Sequence, residues 1–479
     1  MGEPETGTKA ETAWPTSPRA FLGIDPGVFV LAGATLAFSL AVQVVARFVP
    51  EYLNRLGASA ETIGLYASFV LLCRTVYPYL AGGDRRRVPG GFGRLNRLDE
   101  LADRLDHLHD GLGERVRVAV ADAVTPHRLL VAVGVLSASG TLLWLVAPQI
   151  GDVFPVPAWV AVAVGTGLVL LWGTHGPGLH VGLGDVTTSD PPDVASDSTT
   201  AVLTGTTTLR LLGFLGLLAP TTLLFASVAV YLSAFQVLAA VTGAVGFTAV
   251  GAFAVLGRGV SRPGLPTASR EFPTFDTLRG SLSALNDELW TVLAGNTAVT
   301  FAEGMVHVFL IVVVTEYHAV GVTVAGTELP PVAFFGLLVA VETVAGLGAV
   351  VAGTRIAAWA DPRTVIAGAV LSAALFPLLL IGAPSHPAVL AILFALFGVR
   401  FAGVPARAAL FDELVEGDGA DRVVESCRLT RNLAAVPGGV VGGLLYGIAP
   451  EVAFGTATLV GLFGAYQFLQ FVRLGREAE

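Results

Sequence analysis

The chain has 479 residues, of which 53% are apolar and 14% are charged, and its formal net charge at pH 7 is −9. Together with a mean hydropathy of +0.71, this composition excludes soluble globular, disordered and fibrous proteins, and the acidic balance excludes a basic surface for nucleic acid. Because one bilayer crossing needs about 20 apolar residues, the apolar content is sufficient for about 12 transmembrane helices.

The chain begins with a polar segment, residues 1–25, which lacks the apolar core and cleavage site of a signal peptide. We therefore expect a cytoplasmic tail followed by an uncleaved first span. Apolar windows predict twelve transmembrane helices, at residues 27–49, 61–82, 128–147, 157–182, 206–228, 231–255, 290–315, 331–356, 364–383, 387–405, 431–449 and 452–472.

The basic residues predict the orientation of these spans. If the N-terminus is cytoplasmic, 23 of the 28 lysines and arginines lie in loops or at span ends on that side. Cytoplasmic loops characteristically carry such an excess of basic residues. The sequence therefore predicts a multi-pass protein of the plasma membrane with both termini in the cytoplasm.

The connection between the second and third spans is unusually long. Leucines recur there at steps of three or four, from Leu95 to Leu112, with acids and arginines between them. This spacing predicts an amphipathic cytoplasmic helix near residues 90–120. We favour a solvated insertion helix over a helix that lies on the membrane surface.

A polar stretch with three prolines, residues 257–289, divides the spans six and six and is interpreted as a cytoplasmic linker. The sequence thus predicts an N-terminal six-helix bundle at residues 26–256 and a C-terminal bundle at residues 290–479. Repeated halves of this kind are typical of duplicated transporters.

Short sequence matches support the duplication. The first span of each half ends in the same pair, Glu51-Tyr52 and Glu316-Tyr317. The second span carries Arg74-Thr75-Val76 in one half and Glu342-Thr343-Val344 in the other. The predicted fold class is therefore an all-α membrane protein with about 12 helices in two pseudo-symmetric bundles.

The plan of the chain resembles the major facilitator superfamily over about residues 26–475. The resemblance rests on the six-plus-six plan, the central loop and the stretch Phe301-Ala302-Glu303-Gly304-Met305-Val306 in the seventh span. The connection after span two, Gly82-Gly83-Asp84-Arg85-Arg86-Arg87, resembles the family's signature turn, with compressed spacing and without its inner glycine. In the second half this motif reduces to Trp359-Ala360-Asp361-Pro362-Arg363.

The resemblance implies a gating role for this connection. Asp84 would contact the end of a helix from the opposite half, and Arg85 and Arg86 would tie the cytoplasmic side shut in one conformation. In the alternative interpretation, these arginines only fix the topology against anionic headgroups.

Polar residues inside the predicted spans are the candidates for a solute pathway, because ionisable groups within a membrane are mostly kept where they face a cavity or a partner. One helical face of the seventh span carries Asn296, Thr300, Glu303 and His307. The first span repeats the pattern with Ser39, Gln43 and Arg47. The resemblance implies that the first, fourth, seventh and tenth helices line a central cavity, and His175 and Arg400 would complete the ring.

Each candidate has a simpler interpretation. Glu303 lies too deep for its side chain to reach the headgroups, whereas snorkelling is favoured for Arg210 and Arg400. His307 could bond Glu303 or a backbone carbonyl instead of acting directly. Arg74 and Glu342 occupy matching places in the two halves, which suggests gating residues between the bundles. Simple interhelical hydrogen bonds are the alternative for the smaller polar residues Ser39, Gln43, Asn296 and Thr300.

We expect a secondary active transporter that moves a small solute by alternating access and is coupled to a proton or other ion gradient. Glu303 with His307 one turn away fits proton coupling. The mixed acidic and imidazole candidates leave cations, zwitterions and hydrophobic drugs open as substrates. The alternative is a transporter-like receptor or a structural protein without transport.

Enzyme functions are disfavoured. No His-Glu-x-x-His motif and no phosphate-binding Gly-x-x-x-x-Gly-Lys-Ser/Thr loop is present. The two cysteines, Cys73 and Cys427, are too few and too distant in sequence to predict a metal site or a disulfide scaffold. The sequence therefore predicts no catalytic site, cofactor or metal, and its predicted partners are the solute, a coupling ion and the lipid bilayer, with the protein acting as a monomer.

Overall fold

A computed structural model describes residues 26–80, 126–174, 195–256, 275–283, 285, 287–324, 326–356, 361–403 and 420–478. The predicted insertion helix at residues 90–120 lies outside these residues. The first half contains α1 (Pro26–Ala46), α2 (Val49–Arg55), α3 (Ala60–Leu80), α4 (Pro126–Val153), α5 (Ala158–Leu170), α6 (Ala195–Ser227) and α7 (Tyr231–Leu256).

The second half begins with α8 (Phe275–Ser283), within the stretch predicted as a linker. It continues with α9 (Asp287–Val306), α10 (Leu310–Val312), β1 (Val322–Val324), β2 (Thr327–Leu329), α11 (Pro331–Ile356), α12 (Pro362–Ile381), α13 (Pro387–Gly398), α14 (Ala420–Ala435), α15 (Pro437–Ile448) and α16 (Pro450–Ala478). The two strands form an antiparallel hairpin in which Val322 pairs with Leu329.

The described residues of all twelve predicted spans fall mainly on helices. Eight described segments are long and apolar enough to cross a membrane, and two shorter apolar helices cover Ala158–Gly173 and Pro387–Ala402. The remaining two spans fall on α3 and on the pair α14 and α15. The prediction of an all-α membrane protein with about 12 transmembrane helices in two bundles is confirmed.

Three predicted spans are interrupted. The first span turns after α1 and continues as α2, and the eleventh breaks at Val436 because the ring of Pro437 prevents continuation of α14. In the seventh span α9 ends at Val306, a 3₁₀ turn follows at His307–Phe309, and a π-helical turn covers Val313–Tyr317. Hydrophobic periodicity does not reveal this last break, because the apolar pattern continues through it.

The two halves pack on each other along two helix pairs, α3 with α15 and α6 with α11. At the first contact the backbones approach so closely that a Cβ atom on Gly64 would lie 2.7 Å from the Cα atom of Gly443. Glycine at such a contact permits close approach of membrane helices. The sequence thus fixes a tight contact between the bundles.

An aromatic cluster joins the halves at the end of the molecule that holds the β-hairpin, called here the hairpin end. The ring of Phe48 stacks on Phe225 with centroids 4.7 Å apart, and it meets Phe335 of the second half edge-on at 5.9 Å. All three rings are buried. The opposite end, which holds Pro26 and the end of α16, is called the terminus end.

Candidate functional site

A cavity of about 570 Å³ lies between the two halves. Its wall comes mainly from α1, α3 and α6 of the first half and α9, α11 and α15 of the second. Its polar lining consists of Gln43, Arg47, Tyr66, Ser68, Arg74, Thr207, Arg210, Thr300, Glu303, His307, Glu342 and Thr343. The volume lies within the range of small-molecule sites, roughly 300–1,000 Å³.

A charged network crosses the cavity from one half to the other. Arg47, in the turn after α1, donates from Nη1 to Nε2 of His307 at 2.8 Å. Its Nη2 atom lies 3.6 Å from Oε1 of Glu342 on α11. Because an arginine can only donate, Nε2 of His307 carries no proton in this arrangement.

Arg400 completes this network from the tenth span. Its Nη2 donates to Oε1 of Glu342 at 2.6 Å, and its Nη1 donates to the carbonyl of Phe397 at 2.7 Å. The guanidinium carbon lies 3.5 Å from the ring centroid of Phe397 and 4.6 Å from that of Phe401, at cation–π distances. The favoured snorkelling interpretation is therefore wrong for Arg400, because Glu342 and two aromatic rings hold its side chain inside the bundle.

Arg74 and Arg210 have a different setting. Both line the cavity, Arg74 from α3 and Arg210 from α6. Among the residues that the structure describes, neither guanidinium has a hydrogen-bonding or ion-pair partner. The cavity position of Arg210 differs from the predicted extension toward the headgroups. Arg74 and Glu342, predicted as gating residues between the bundles, both line the cavity, and the ion-pair partners of Glu342 are Arg47 and Arg400.

The two predicted polar stripes face the cavity only in part. Thr300, Glu303 and His307 line it, as does Gln43 of the first span. Asn296 and Ser39 are not among its lining residues, and the Asn296 carbonyl accepts a hydrogen bond from the Thr300 hydroxyl at 2.8 Å. Each stripe thus reaches the cavity only with its residues nearer the hairpin end. The predicted residues His175, Asp84, Arg85 and Arg86 lie outside the described part of the chain.

Glu303 and His307 also border a smaller void of about 20 Å³ between α9, α12 and α16. They do not bond each other in the structure, since the described partner of His307 is Arg47. The interpretation in which His307 bonds Glu303 or a backbone carbonyl is therefore wrong for this conformation. The two residues face the cavity as separate groups one helical turn apart.

The halves are hydrogen-bonded to each other at the hairpin end. Glu51 of α2 accepts from the Thr315 hydroxyl at 3.2 Å, and Glu316 accepts from the Asn54 side chain at 2.7 Å. Glu51 also accepts from Arg55 of its own helix at 2.7 Å. The repeated Glu-Tyr pair thus supplies one carboxylate to this contact from each half.

A second contact joins the halves at the terminus end. The hydroxyl of Tyr79, near the end of α3, donates to Oε1 of Glu425 on α14 at 2.5 Å. The same oxygen accepts from Arg428 at 2.9 Å. The cavity therefore lies between two sets of polar contacts that link the bundles.

Sequence reasoning missed the aromatic part of the site. Tyr66, Phe214, Phe335 and Phe401 line the cavity, and the Tyr66 hydroxyl lies 3.1 Å from that of Thr166. An aromatic residue in an apolar span gives no sign of whether it faces lipid, core or cavity. The tyrosine is the partial exception, because a hydroxyl inside a membrane needs a hydrogen-bonding partner.

No protein-family model matches the chain, and no curated protein matches it. Solved structures do match. The nucleoside transporter NupG is 10% identical, with 94% of this chain and 99% of that chain covered and a TM-score of 0.57. The peptide transporter POT in complex with sulfate is 13% identical, with 96% of each chain covered and a TM-score of 0.60.

A third structure, the fucose:proton symporter FucP of E.coli, is 16% identical, with 93% of this chain and 98% of that chain covered and a TM-score of 0.51. The TM-scores establish a shared fold, whereas identities this low leave the substrate of this chain to be argued from its own cavity.

Proposed function

We propose that this multi-pass membrane protein, which has the major facilitator fold, is a secondary active transporter that moves a small solute by alternating access. The observation that carries the proposal is the polar cavity of about 570 Å³ between the two halves. A cavity of this size in the middle of a membrane bundle costs packing energy and exposes ionisable groups, so a solute pathway is the simplest reason for it.

The contacts at the two ends support alternating access. One set, around Glu51 and Glu316, joins the halves at the hairpin end, and the other joins Tyr79 to Glu425 at the terminus end. Each set consists of a few hydrogen bonds, which can break while the other set holds. Rocking of one bundle against the other would then expose the cavity to one side at a time.

Coupling to protons is proposed at the face of the seventh span that carries Glu303 and His307. Nε2 of His307 accepts its hydrogen bond from Arg47, so a proton can bind this nitrogen only after the contact between the halves breaks. Proton binding and bundle movement are thereby linked through one atom. Glu303, one turn away on the cavity wall, provides a carboxylate that can take the proton instead.

The test is transport in reconstituted vesicles across a panel of metabolites and drugs, with and without a pH gradient. We expect uptake or efflux of at least one solute that the gradient accelerates. Glu303→Gln should abolish the acceleration, whereas Glu328→Gln, on the exposed hairpin strand, should leave it unchanged. Full pH dependence in Glu303→Gln would overturn the coupling assignment. The absence of flux for every solute would favour the receptor alternative.

From the charge distribution of the sequence we propose that both termini lie in the cytoplasm. We also propose that the membrane is the plasma membrane and that the protein acts as a monomer. In this orientation the hairpin end is extracellular, and Asp84, Arg85 and Arg86 follow span two on the cytoplasmic side, where they would contribute to the gate. Reporter fusions after successive spans test the topology. Termini on opposite faces of the membrane would overturn it.

A further inference from the structure

The cavity and its charged network carry more positive than negative charge. Among the described residues, Arg47, Arg74 and Arg210 lie on the cavity wall and Arg400 lies beside it, against two carboxylates, Glu303 and Glu342. With histidine neutral, four arginines and two glutamates leave a net charge of +2. An excess of charge within a membrane protein is costly unless a counter-ion or a ligand is present for part of its cycle.

Two of these arginines are already bound. Arg400 is held by Glu342, the Phe397 carbonyl and two aromatic rings. Arg47 bridges His307 and Glu342. Glu342, which is only 2% exposed, therefore serves two guanidinium groups at once. Both contacts are made through Oε1, and its single negative charge balances only one of the two arginines.

Arg74 and Arg210 are the remaining cations. They face the cavity from the first half. No described carboxylate or other hydrogen-bond acceptor lies within bonding distance of either guanidinium group. Guanidinium groups present a planar set of donors that matches carboxylate and phosphate oxygens. An oxyanion that enters the cavity would find these donors with no competing protein acceptor among the described residues.

We infer that the transported solute is a small organic anion, and that Arg74 and Arg210 bind its carboxylate or phosphate oxygens. This inference rests on the proposed transport function and names the substrate class. It departs from the expectation from the sequence, which left cations, zwitterions and hydrophobic drugs open and counted only Arg400 and Arg47 toward an organic anion. A cation would meet a net positive cavity, and a neutral drug would leave both guanidinium groups without a partner.

The rest of the wall suits the organic part of such a solute. Phe214, Phe335 and Phe401 provide apolar faces, while Gln43 and Thr300 provide polar groups without net charge. Ligand sites typically combine an apolar wall with a few polar groups that fix orientation. The volume of about 570 Å³ admits a molecule larger than an inorganic anion.

The test measures binding separately from transport. The full chain is purified in detergent, and its melting temperature is recorded in titrations with lactate, succinate and glycerol 3-phosphate, and with choline and glucose as cationic and neutral probes. We expect saturable stabilisation by at least one of the three anions and none by choline. Comparison of lactate and succinate with glycerol 3-phosphate shows whether the site prefers a carboxylate or a phosphate group.

The variants assign the binding to the two arginines. Arg74→Gln and Arg210→Gln should each weaken anion binding by about 10-fold or more, since a hydrogen bond to a charged group is lost. Arg74→Lys and Arg210→Lys keep the charge and should bind with intermediate affinity, which also provides a test if a glutamine variant does not fold. Arg355→Gln, at the exposed end of α11, is the matched control and should bind as the unmodified protein does.

The outcomes separate this inference from the proposed function. Failure of all three anions to bind overturns the inference, as does unchanged anion affinity in both glutamine and both lysine variants. Uptake of choline or glucose into vesicles without anion binding would leave a transporter of a different substrate class. Anion binding that depends on the two arginines, without flux in vesicles, would support the inference and overturn transport.

Discussion

Glu342 should be the residue whose charge contributes most to the stability of the bundle interior. Its carboxylate is 2% exposed and lies 2.6 Å from Arg400 and 3.6 Å from Arg47. The perturbation is Glu342→Gln, which keeps the side-chain volume and one acceptor oxygen but removes the negative charge. Two arginines from opposite halves of the protein then face each other without a carboxylate between them.

The magnitude follows from the geometry. At an effective dielectric constant of about 20, two unit charges at this separation of 3.6 Å attract by roughly 5 kcal/mol before desolvation is subtracted. Removing one partner of a buried ion pair costs about 3–5 kcal/mol. Since the side chains of Arg47 and Arg400 are 22% and 15% exposed, we take the lower end, about 3 kcal/mol. Because the unfolding entropy of a chain of 479 residues is about 1 kcal/mol/K, a decrease of about 3 °C in melting temperature is expected.

The assay is thermal unfolding of the purified protein in detergent, with Glu328→Gln on the exposed hairpin as the control for the same chemical change. A double-mutant cycle should give a larger coupling energy for Glu342 with Arg400 than for Glu342 with Arg47, because the first pair is closer. A Glu342→Gln variant that melts within about 1 °C of the control would refute the reasoning, because a loss of about 3 kcal/mol in the free energy of unfolding produces a larger shift in melting temperature.

Two further outcomes are expected. Gly64→Val should lower the melting temperature by about 1–3 °C, because the added side chain meets the backbone of Gly443 and overpacking costs about 1–3 kcal/mol; an unchanged melting temperature would contradict the close contact. Tyr79→Phe removes the donor to Glu425 and should speed maleimide labelling of Cys427 on the half-buried α14; equal labelling rates would show that this contact does not hold the terminus end closed.

The spans could be predicted because the bilayer imposes a simple condition on sequence. Each crossing needs a long apolar run with its backbone hydrogen bonds made within the helix. The runs at residues 331–356 and 231–255 accordingly match α11 and α7 closely. The interruption of the seventh span at His307 could not be predicted, because neither proline nor a change of hydropathy marks it.

The candidate site was predictable to a lesser degree. The cost of ionisable groups inside a membrane identified Glu303, His307 and Arg47 as residues of interest, and all three line the cavity. The same rule could not say whether Arg400 and Arg210 extend toward headgroups or inward. The depth of a residue along a helix is readable from sequence, whereas its direction relative to other helices is not.

The sequence by itself determined the number of spans, the division into two halves and the presence of charged groups within the membrane, because these depend on composition along single helices. Only the tertiary structure decided which charges meet. Glu342 and Arg400 are 58 residues apart in sequence, and Arg47 and His307 are 260 apart. Their pairing depends on how the helices are rotated and placed, and that placement leaves Arg74 and Arg210 on the cavity wall without an acceptor from the described residues.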